Sequence, residues 1–344
     1  MLQLSDNTYN RTLARHEPKF KLWTQAGLLL TYRCNAACEF CYYHCDGGKS
    51  GLMNVETAME AWRGLGRIAG AAARIHLTGG EPFLYYERLL EILEAGVRDG
   101  LGGADMVETN GFWAIDDAIA RRRLATLKSL GLQRFKISVD PFHQAFVEIE
   151  PVRRLARIAE EVFGPAHVLV RWRQYLDEPA VAPHSVRDIA YLETLAEYPC
   201  RFTGRAAGRL AERVLATPSE RPPIARTIDE LRNENCRTGW LGARHIHIDP
   251  FGNIFSGTCS GIVMANINKA PLDRIWQDLD FRTHPLLRAL FEQGPTGLLD
   301  MAVAAGYPPR PRYVDKCHLC TDIRTFFRAH GLEPAVIGPT ECYP

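Results

Sequence analysis

Three thiols lie in the run Cys34-Asn35-Ala36-Ala37-Cys38-Glu39-Phe40-Cys41, just after the apolar stretch of residues 27–32. At the end of a strand, this C-x3-C-x2-C spacing presents three soft sulfur donors from one loop to one point. Three is one fewer than a closed structural zinc site or a plain ferredoxin cluster uses. A four-iron cluster held by three thiolates keeps one iron free for a further ligand. A zinc loop completed by His44 or Cys45 would draw on the same stretch, so the loop alone leaves both readings open. A second set of four is Cys236, Cys259 and the pair Cys317 and Cys320. By spacing alone, that set suits a four-coordinate zinc. Cys45, Cys200 and Cys342 are left without a role.

Other residues that could do chemistry sit where apolar runs stop. Thr78-Gly79-Gly80-Glu81-Pro82 follows a short β-like run. Its two glycines could let the backbone approach a ligand, or supply a positive φ for a sharp turn. Glu108-Thr109-Asn110-Gly111 ends the next run, and on its own is equally an Asn-Gly turn. Alternation puts Ser138 and Asp140 on one face of a strand, and Arg171 and Arg173 on one face of another with Trp172 opposite. His143 could act as an acid or base, or merely cap a helix. Arg205 closes the series in Gly204-Arg205-Ala206.

The elements that must position these residues alternate. Strands are expected at residues 28–32, 74–78, 106–109, 133–139, 167–172 and 200–203. Helices are expected between them at 55–69, 86–98, 116–130, 152–163 and 185–198. Such alternation argues for an α/β fold with a parallel sheet and right-handed crossovers. In barrels of this class, chemistry gathers at the C-terminal ends of the strands, where these residues lie. A proline-bearing connector at 209–235, with Pro218, Pro222 and Pro223, reads as a boundary. Beyond it a β-hairpin is expected around Asp249-Pro250-Phe251-Gly252-Asn253, with helices at 271–278 and 321–330.

In combination, the C-x3-C-x2-C loop, Phe40 before its third cysteine, and the Gly-Gly-Glu-Pro turn some forty residues on resemble the radical S-adenosylmethionine (SAM) superfamily. The resemblance implies a partial (β/α)6 TIM-like barrel at 28–208, preceded by an extension at 1–27. It implies a [4Fe-4S] cluster on Cys34, Cys38 and Cys41, whose free iron binds SAM and whose electron cleaves it to a 5′-deoxyadenosyl radical. By the same resemblance Phe40, Gly79, Gly80, Glu81, Pro82, Thr109, Asn110, Ser138, Asp140 and Arg171 contact SAM. His143 and Arg205 are left as candidate catalytic residues.

Residues 236–344 resemble the small α+β "twitch" or truncated SPASM domain, which implies one auxiliary [4Fe-4S] cluster on Cys236, Cys259, Cys317 and Cys320. Two departures accompany that likeness. The closely spaced cysteines of a second auxiliary cluster are missing after Cys320, and the gap from Gly252 to Cys259 is long. The implied activity is hydrogen abstraction leading to an oxidative or bond-forming modification, with a reductant such as flavodoxin or ferredoxin. The substrate is a small molecule or a peptide, the latter through a maturase working with a separate recognition partner. A zinc-stabilised scaffold and an iron–sulfur electron carrier are the readings from other classes.

Bulk composition sets the outer bounds. The chain has 344 residues, 46% hydrophobic and 24% charged, with a net charge of +1, which is ordinary for a globular protein. That balance offers no electrostatic case for nucleic acid or a membrane surface. Ten cysteines in a large chain whose start reads as polar, without an apolar export signal, point to metal ligands in a reducing, cytoplasmic setting.

Overall fold

The computed structural model describes residues 1–185, 188–216, 225–232, 234–257 and 259–344. Its α/β framework begins with β1 (Gln25–Leu29), α1 (Val55–Ala69), β2 (Arg74–Thr78), α2 (Tyr86–Arg98) and β3 (Met106–Thr109). It continues through α3 (Asp117–Ser129), β4 (Arg134–Ser138), α4 (Ile149–Phe163), β5 (Val168–Arg171) and α5 (Asp188–Glu197). Local signals set most of these bounds. Asn54 caps α1 by accepting from the Thr57 N–H, and Gly70 ends it at φ +55°. The apolar positions Ala58, Ala61, Leu65 and Ile68 fall on one face of α1 and are buried.

A second group of elements follows: α6 (Arg209–Ala216), the strands β6 (His245–Ile248), β7 (Asn253–Ser256) and β8 (Ala265–Asn266), and the helices α7 (Leu272–Asp278), α8 (Pro285–Glu292) and α9 (Lys316–Ala329). All the strands make one eight-stranded sheet in the order β5-β4-β3-β2-β1-β6-β7-β8. The first six positions are parallel; β7 and β8 are antiparallel additions. Ala26, Leu28 and Leu29 at its centre are fully buried, as a strand covered on both faces requires.

Two expectations change. Residues 200–203 form no strand. Pro199 removes a donor just before them, and the Phe202 N–H is taken by the Asp315 carboxylate (3.3 Å) rather than by a ladder. Among the described residues β5 therefore ends the sheet, and β6 joins it at the far side beside β1, with Gln25 opposite His245 and Gly27 opposite His247. Its Ile246 and Ile248 bring β-branched side chains to the buried face. The C-terminal hairpin thus continues the barrel sheet, so a cut at 209–235 falls between two strands of one sheet. Part of that connector is the helix α6, with Leu210 and Ala211 buried. Pro218, Pro222 and Pro223 lie outside the described residues. The second change is that β1 starts three residues earlier than its apolar run suggests and ends at Leu29.

Candidate active site and cysteine centres

The parallel strands end around a cavity of about 400 Å³. Cys34, Cys38 and Cys41 line it together, as do Gly79, Gly80 and Glu81 of the glycine turn. Cys45 lines it too, whereas His44 turns its ring towards Arg205. The loop is shaped by its own polar contacts. The Ala36 N–H donates to Cys34 Sγ (3.4 Å), and the Asn110 amide lies 3.9 Å from the same sulfur while donating to Asn35 Oδ1 (2.9 Å). Burial raises the thiols of Cys34 and Cys38, whereas a hydrogen bond from Cys45 lowers Cys41 to about 6. Three converging sulfurs with amide donors around them fit a soft-metal cluster.

Glu81 is buried beneath this cavity. Its carboxylate accepts from Thr109 Oγ1 (2.8 Å), the Asn110 N–H (2.8 Å) and the Phe83 N–H (3.0 Å). Burial raises its pKa to about 7 against those three bonds. Glu81 therefore ties the glycine turn to the Thr109-Asn110 stretch, while Pro82 begins the turn that follows it. The glycines have a structural reason distinct from ligand approach. A Cβ on Gly80 would lie 2.1 Å from the Arg33 carbonyl oxygen, and one on Gly79, at φ +135°, 2.7 Å from that of Thr31. The space they leave is filled by the strand-to-cysteine-loop backbone.

Ser138 and Arg171 reach the cavity wall, and so does Phe40. The Arg171 guanidinium lies over Trp172 (4.2 Å) and Phe40 (5.1 Å). Arg173 does not share that face. Trp172 takes a left-handed φ of +57°, which breaks the alternation and sends Arg173 to the surface, where it pairs with Glu160. Asp140 is fully buried away from the cavity. It accepts from the His143 backbone N–H (2.9 Å) and faces His143 Nδ1 (2.7 Å), leaving that imidazole at the cavity. Arg205 is not at the cavity either. Its guanidinium donates to the carbonyls of His44 (2.9 Å) and Cys45 (3.1 Å) and to Asp46 (2.9 Å). It clamps the cysteine loop from behind.

Cys236, Cys259, Cys317 and Cys320 line a second, smaller cavity with Lys316 and Arg324. Cys236 precedes a short helix, Cys259 follows β7, and the other two lie one turn apart at the start of α9. Burial and the neighbouring thiols of Cys320 and Cys259 push Cys236 up to about 12. Four thiols lining one small space match in number the sulfur ligands of a four-iron cluster. Ser260, next to Cys259, donates its hydroxyl to the Tyr42 carbonyl, next to Cys41, so one contact joins the two cysteine groups.

Sequence reasoning passed over three histidines on the barrel floor. His76, His245 and His247 line the first cavity and hold one ring nitrogen each within 4.8 Å of the others. His245-Ile246-His247 was the available signal, since a spacing of two puts both rings on one face. Its meeting with His76 depends on β6 pairing with β1, which is not a local property. Beside them Glu108 lies 3.6 Å from His76 and 3.2 Å from Lys136.

Residues 28–162 match the family model described as "Radical SAM superfamily". A stretch of 126 residues is 26% identical to the "Putative peptide biosynthesis protein YydG" of Bacillus subtilis (strain 168), covering 37% of this chain and 39% of that protein. The match thus spans about two fifths of the relative. Among solved structures, BtrN in complex with AdoMet and 2-DOIA is 18% identical with a TM-score of 0.49, over 80% of this chain and 89% of that one. Native anSMEcpe with bound AdoMet and Cp18Cys peptide is 13% identical with a TM-score of 0.43, over 90% and 98%.

Proposed function

We propose, from the premise that residues 28–162 carry a radical SAM domain, that this enzyme performs an oxidative or bond-forming modification aided by an auxiliary iron–sulfur cluster. The observation that carries the reading is the sorting of seven cysteines into two places: three beside the glycine turn, four around a second cavity. Cys34, Cys38 and Cys41 would hold the cluster that leaves one iron for SAM, and Cys236, Cys259, Cys317 and Cys320 the auxiliary one. When bound, the first cluster and SAM supply a 5′-deoxyadenosyl radical able to take a hydrogen atom from substrate.

The remaining work belongs to the chain. Arg205 holds the cysteine loop in shape through its carbonyl contacts. Glu81 and Asn110 fix the turn against that loop, so the wall facing SAM is set before binding. Arg171, stacked on Phe40 and Trp172, presents a positive group suited to the SAM carboxylate. Ser138 adds a polar wall group. His143, oriented through Nδ1 by buried Asp140, keeps its other ring nitrogen for the cavity and can hold or release a proton there. The hydrogen bond from Ser260 to the Tyr42 carbonyl holds the two cysteine groups in a fixed relation, as an auxiliary cluster would need.

The likeness to a putative peptide biosynthesis protein favours a peptide as substrate over a free small molecule, presented by a separate recognition partner. An external electron carrier such as flavodoxin or ferredoxin completes the requirements. Reduced, anaerobically reconstituted protein should contain about eight irons and release 5′-deoxyadenosine from SAM. Cys38→Ala should abolish that release. Cys320→Ala should lose about four irons yet still cleave SAM slowly, with product falling further than cleavage. Full iron in a soluble Cys320→Ala protein would end the auxiliary-cluster reading, and zinc without iron in the wild type would favour a scaffold. Iron without SAM cleavage would leave an electron carrier.

A further inference from the structure

The three histidines on the barrel floor are placed by register. Gly27, at the centre of β1, is paired with His76 of β2 on one side and His247 of β6 on the other. Paired residues project to the same face, so both rings rise beside a position that has no side chain. A Cβ on Gly27 would lie 2.6 Å from His76 Nε2 and 2.7 Å from His247 Nε2. Glycine inside a strand weakens it, and marks a place where something must come close. His245, opposite Gln25, adds the third ring from the same face, its centroid 4.4 Å from that of His247 and 5.0 Å from that of His76.

Two further observations point to a ligand among these rings. His247 Nδ1 faces the Gly257 carbonyl oxygen at 2.8 Å, so it carries the proton and leaves Nε2 with a free lone pair. That is how protein matrices orient a metal-binding imidazole. His245 Nε2 is buried with no hydrogen-bond partner, and so is the Tyr43 hydroxyl, which lines the same cavity. His318 Nε2 is buried and unpartnered elsewhere in the fold, so it is the meeting of two such atoms in one cavity, beside two more imidazoles, that points to a ligand.

We propose that His76, His245 and His247 form a binding site for a divalent metal ion of the zinc type, distinct from both cysteine groups. Three neutral imidazoles are the donor set of an open tetrahedral zinc site, which leaves one position for another ligand. Zinc–nitrogen bonds of about 2.0–2.1 Å put tetrahedral donors about 3.4 Å apart. Closing from the present separation, at most 4.8 Å, needs only small rotations of the three side chains. The Glu108 carboxylate, 3.6 Å from His76 Nε2 but paired with Lys136 at 3.2 Å, would have to leave that lysine to take the fourth position. Otherwise that position opens to the cavity shared with Cys34, Cys38 and Cys41, where an oxygen of the substrate could enter.

The site can be read without activity. Protein carrying its iron–sulfur clusters is equilibrated anaerobically with zinc, freed of loose metal, and examined by elemental analysis and zinc-edge X-ray absorption. The proposal expects one zinc per chain with nitrogen and oxygen neighbours only, near 2.0–2.1 Å, and no sulfur near 2.3 Å. His247→Ala should lose this zinc with iron content unchanged. His245→Gln changes a half-buried position and should weaken binding at least about tenfold, in line with loss of a ligand; it carries the test if His247→Ala does not fold. Zinc with sulfur neighbours, zinc retained in His245→Gln, or no zinc in the wild type would each overturn the proposal. The last result would leave a hydrogen-bonded cluster of imidazoles.

Discussion

Arg171 and Asp249 show how burial and partners set what one side chain can do. If the Arg171 guanidinium faces the carboxylate of SAM, Arg171→Met keeps most of the contact with Phe40 and Trp172 but removes the charge. SAM affinity should fall by about tenfold, the loss of roughly 1.4 kcal/mol expected of a charged hydrogen bond, with iron content unchanged. Unaltered SAM binding by equilibrium dialysis would take Arg171 out of the site. Asp249, at the turn between β6 and β7, accepts from Tyr32 Oη (3.0 Å) and from the Phe251 (2.9 Å) and Asn253 (2.8 Å) backbone N–H groups. Burial outweighs these bonds and raises its pKa from 3.8 to about 6. The folded chain then keeps a proton that the unfolded chain gives up. Its stabilising effect is complete below about pH 4 and is lost as pH rises through 6, by roughly 1.4 kcal/mol per unit. Urea unfolding of cluster-free protein across that window should show this decline in the wild type and a flatter profile in Asp249→Asn. Parallel profiles would mean that the carboxyl ionises alike in both states.

The cysteine loop depends on an element that contributes no ligand. Gly204 sits at φ +58°, and a Cβ there would lie 2.4 Å from the carbonyl oxygens of both Cys41 and Tyr42. Gly204→Ala should therefore displace the loop and remove a large part of the iron from the three-cysteine site. Gly208→Ala, whose Cβ would meet only the Arg205 carbonyl at an ordinary 3.5 Å, should keep it. Equal iron in the two reconstituted variants would sink that account. Local chemistry made much of this framework legible in advance. The bounds 55–69, 74–78, 86–98 and 106–109 follow from the Asn54 cap, the Gly70 stop and clean apolar runs, and they match α1, β2, α2 and β3. The two cysteine groups were legible as groups, because loop spacing and hairpin flanks are written in the chain. What escaped was set by distant partners. Residues 200–203 have strand-like composition but form no strand, because the Phe202 N–H goes to the distant Asp315 carboxylate. Trp172 turns left-handed and takes Arg173 off the face that alternation assigned to it. Arg205, a candidate catalytic residue by its place in the sequence, holds the cysteine loop through the His44 and Cys45 carbonyls and does not line the cavity. The histidine cluster needs three strands in register before it exists.

At the scale of the whole molecule, β6 closes one side of β1 and β2 closes the other, so the barrel and the C-terminal hairpin share a single hydrogen-bonded sheet. A chain cut after residue 208 would leave Ala26, Leu28 and Leu29 on an open edge, the kind of strand that pairs with other molecules. Residues 1–208 alone should accumulate as insoluble material, whereas the full chain should unfold in one cooperative transition. A soluble, cooperatively melting 1–208 fragment would show that β6 is dispensable to the barrel. Among the described residues no helix is long and apolar enough to cross a membrane. The pairing of Gln25 with His245 also has a consequence for synthesis. At about 5–20 residues per second, the ribosome needs on the order of 10–40 s after finishing β1 to deliver its second neighbour. Through that interval β1, whose Ala26, Leu28 and Leu29 are fully buried in the finished fold, waits half-paired, at the stage when a holding chaperone would matter most.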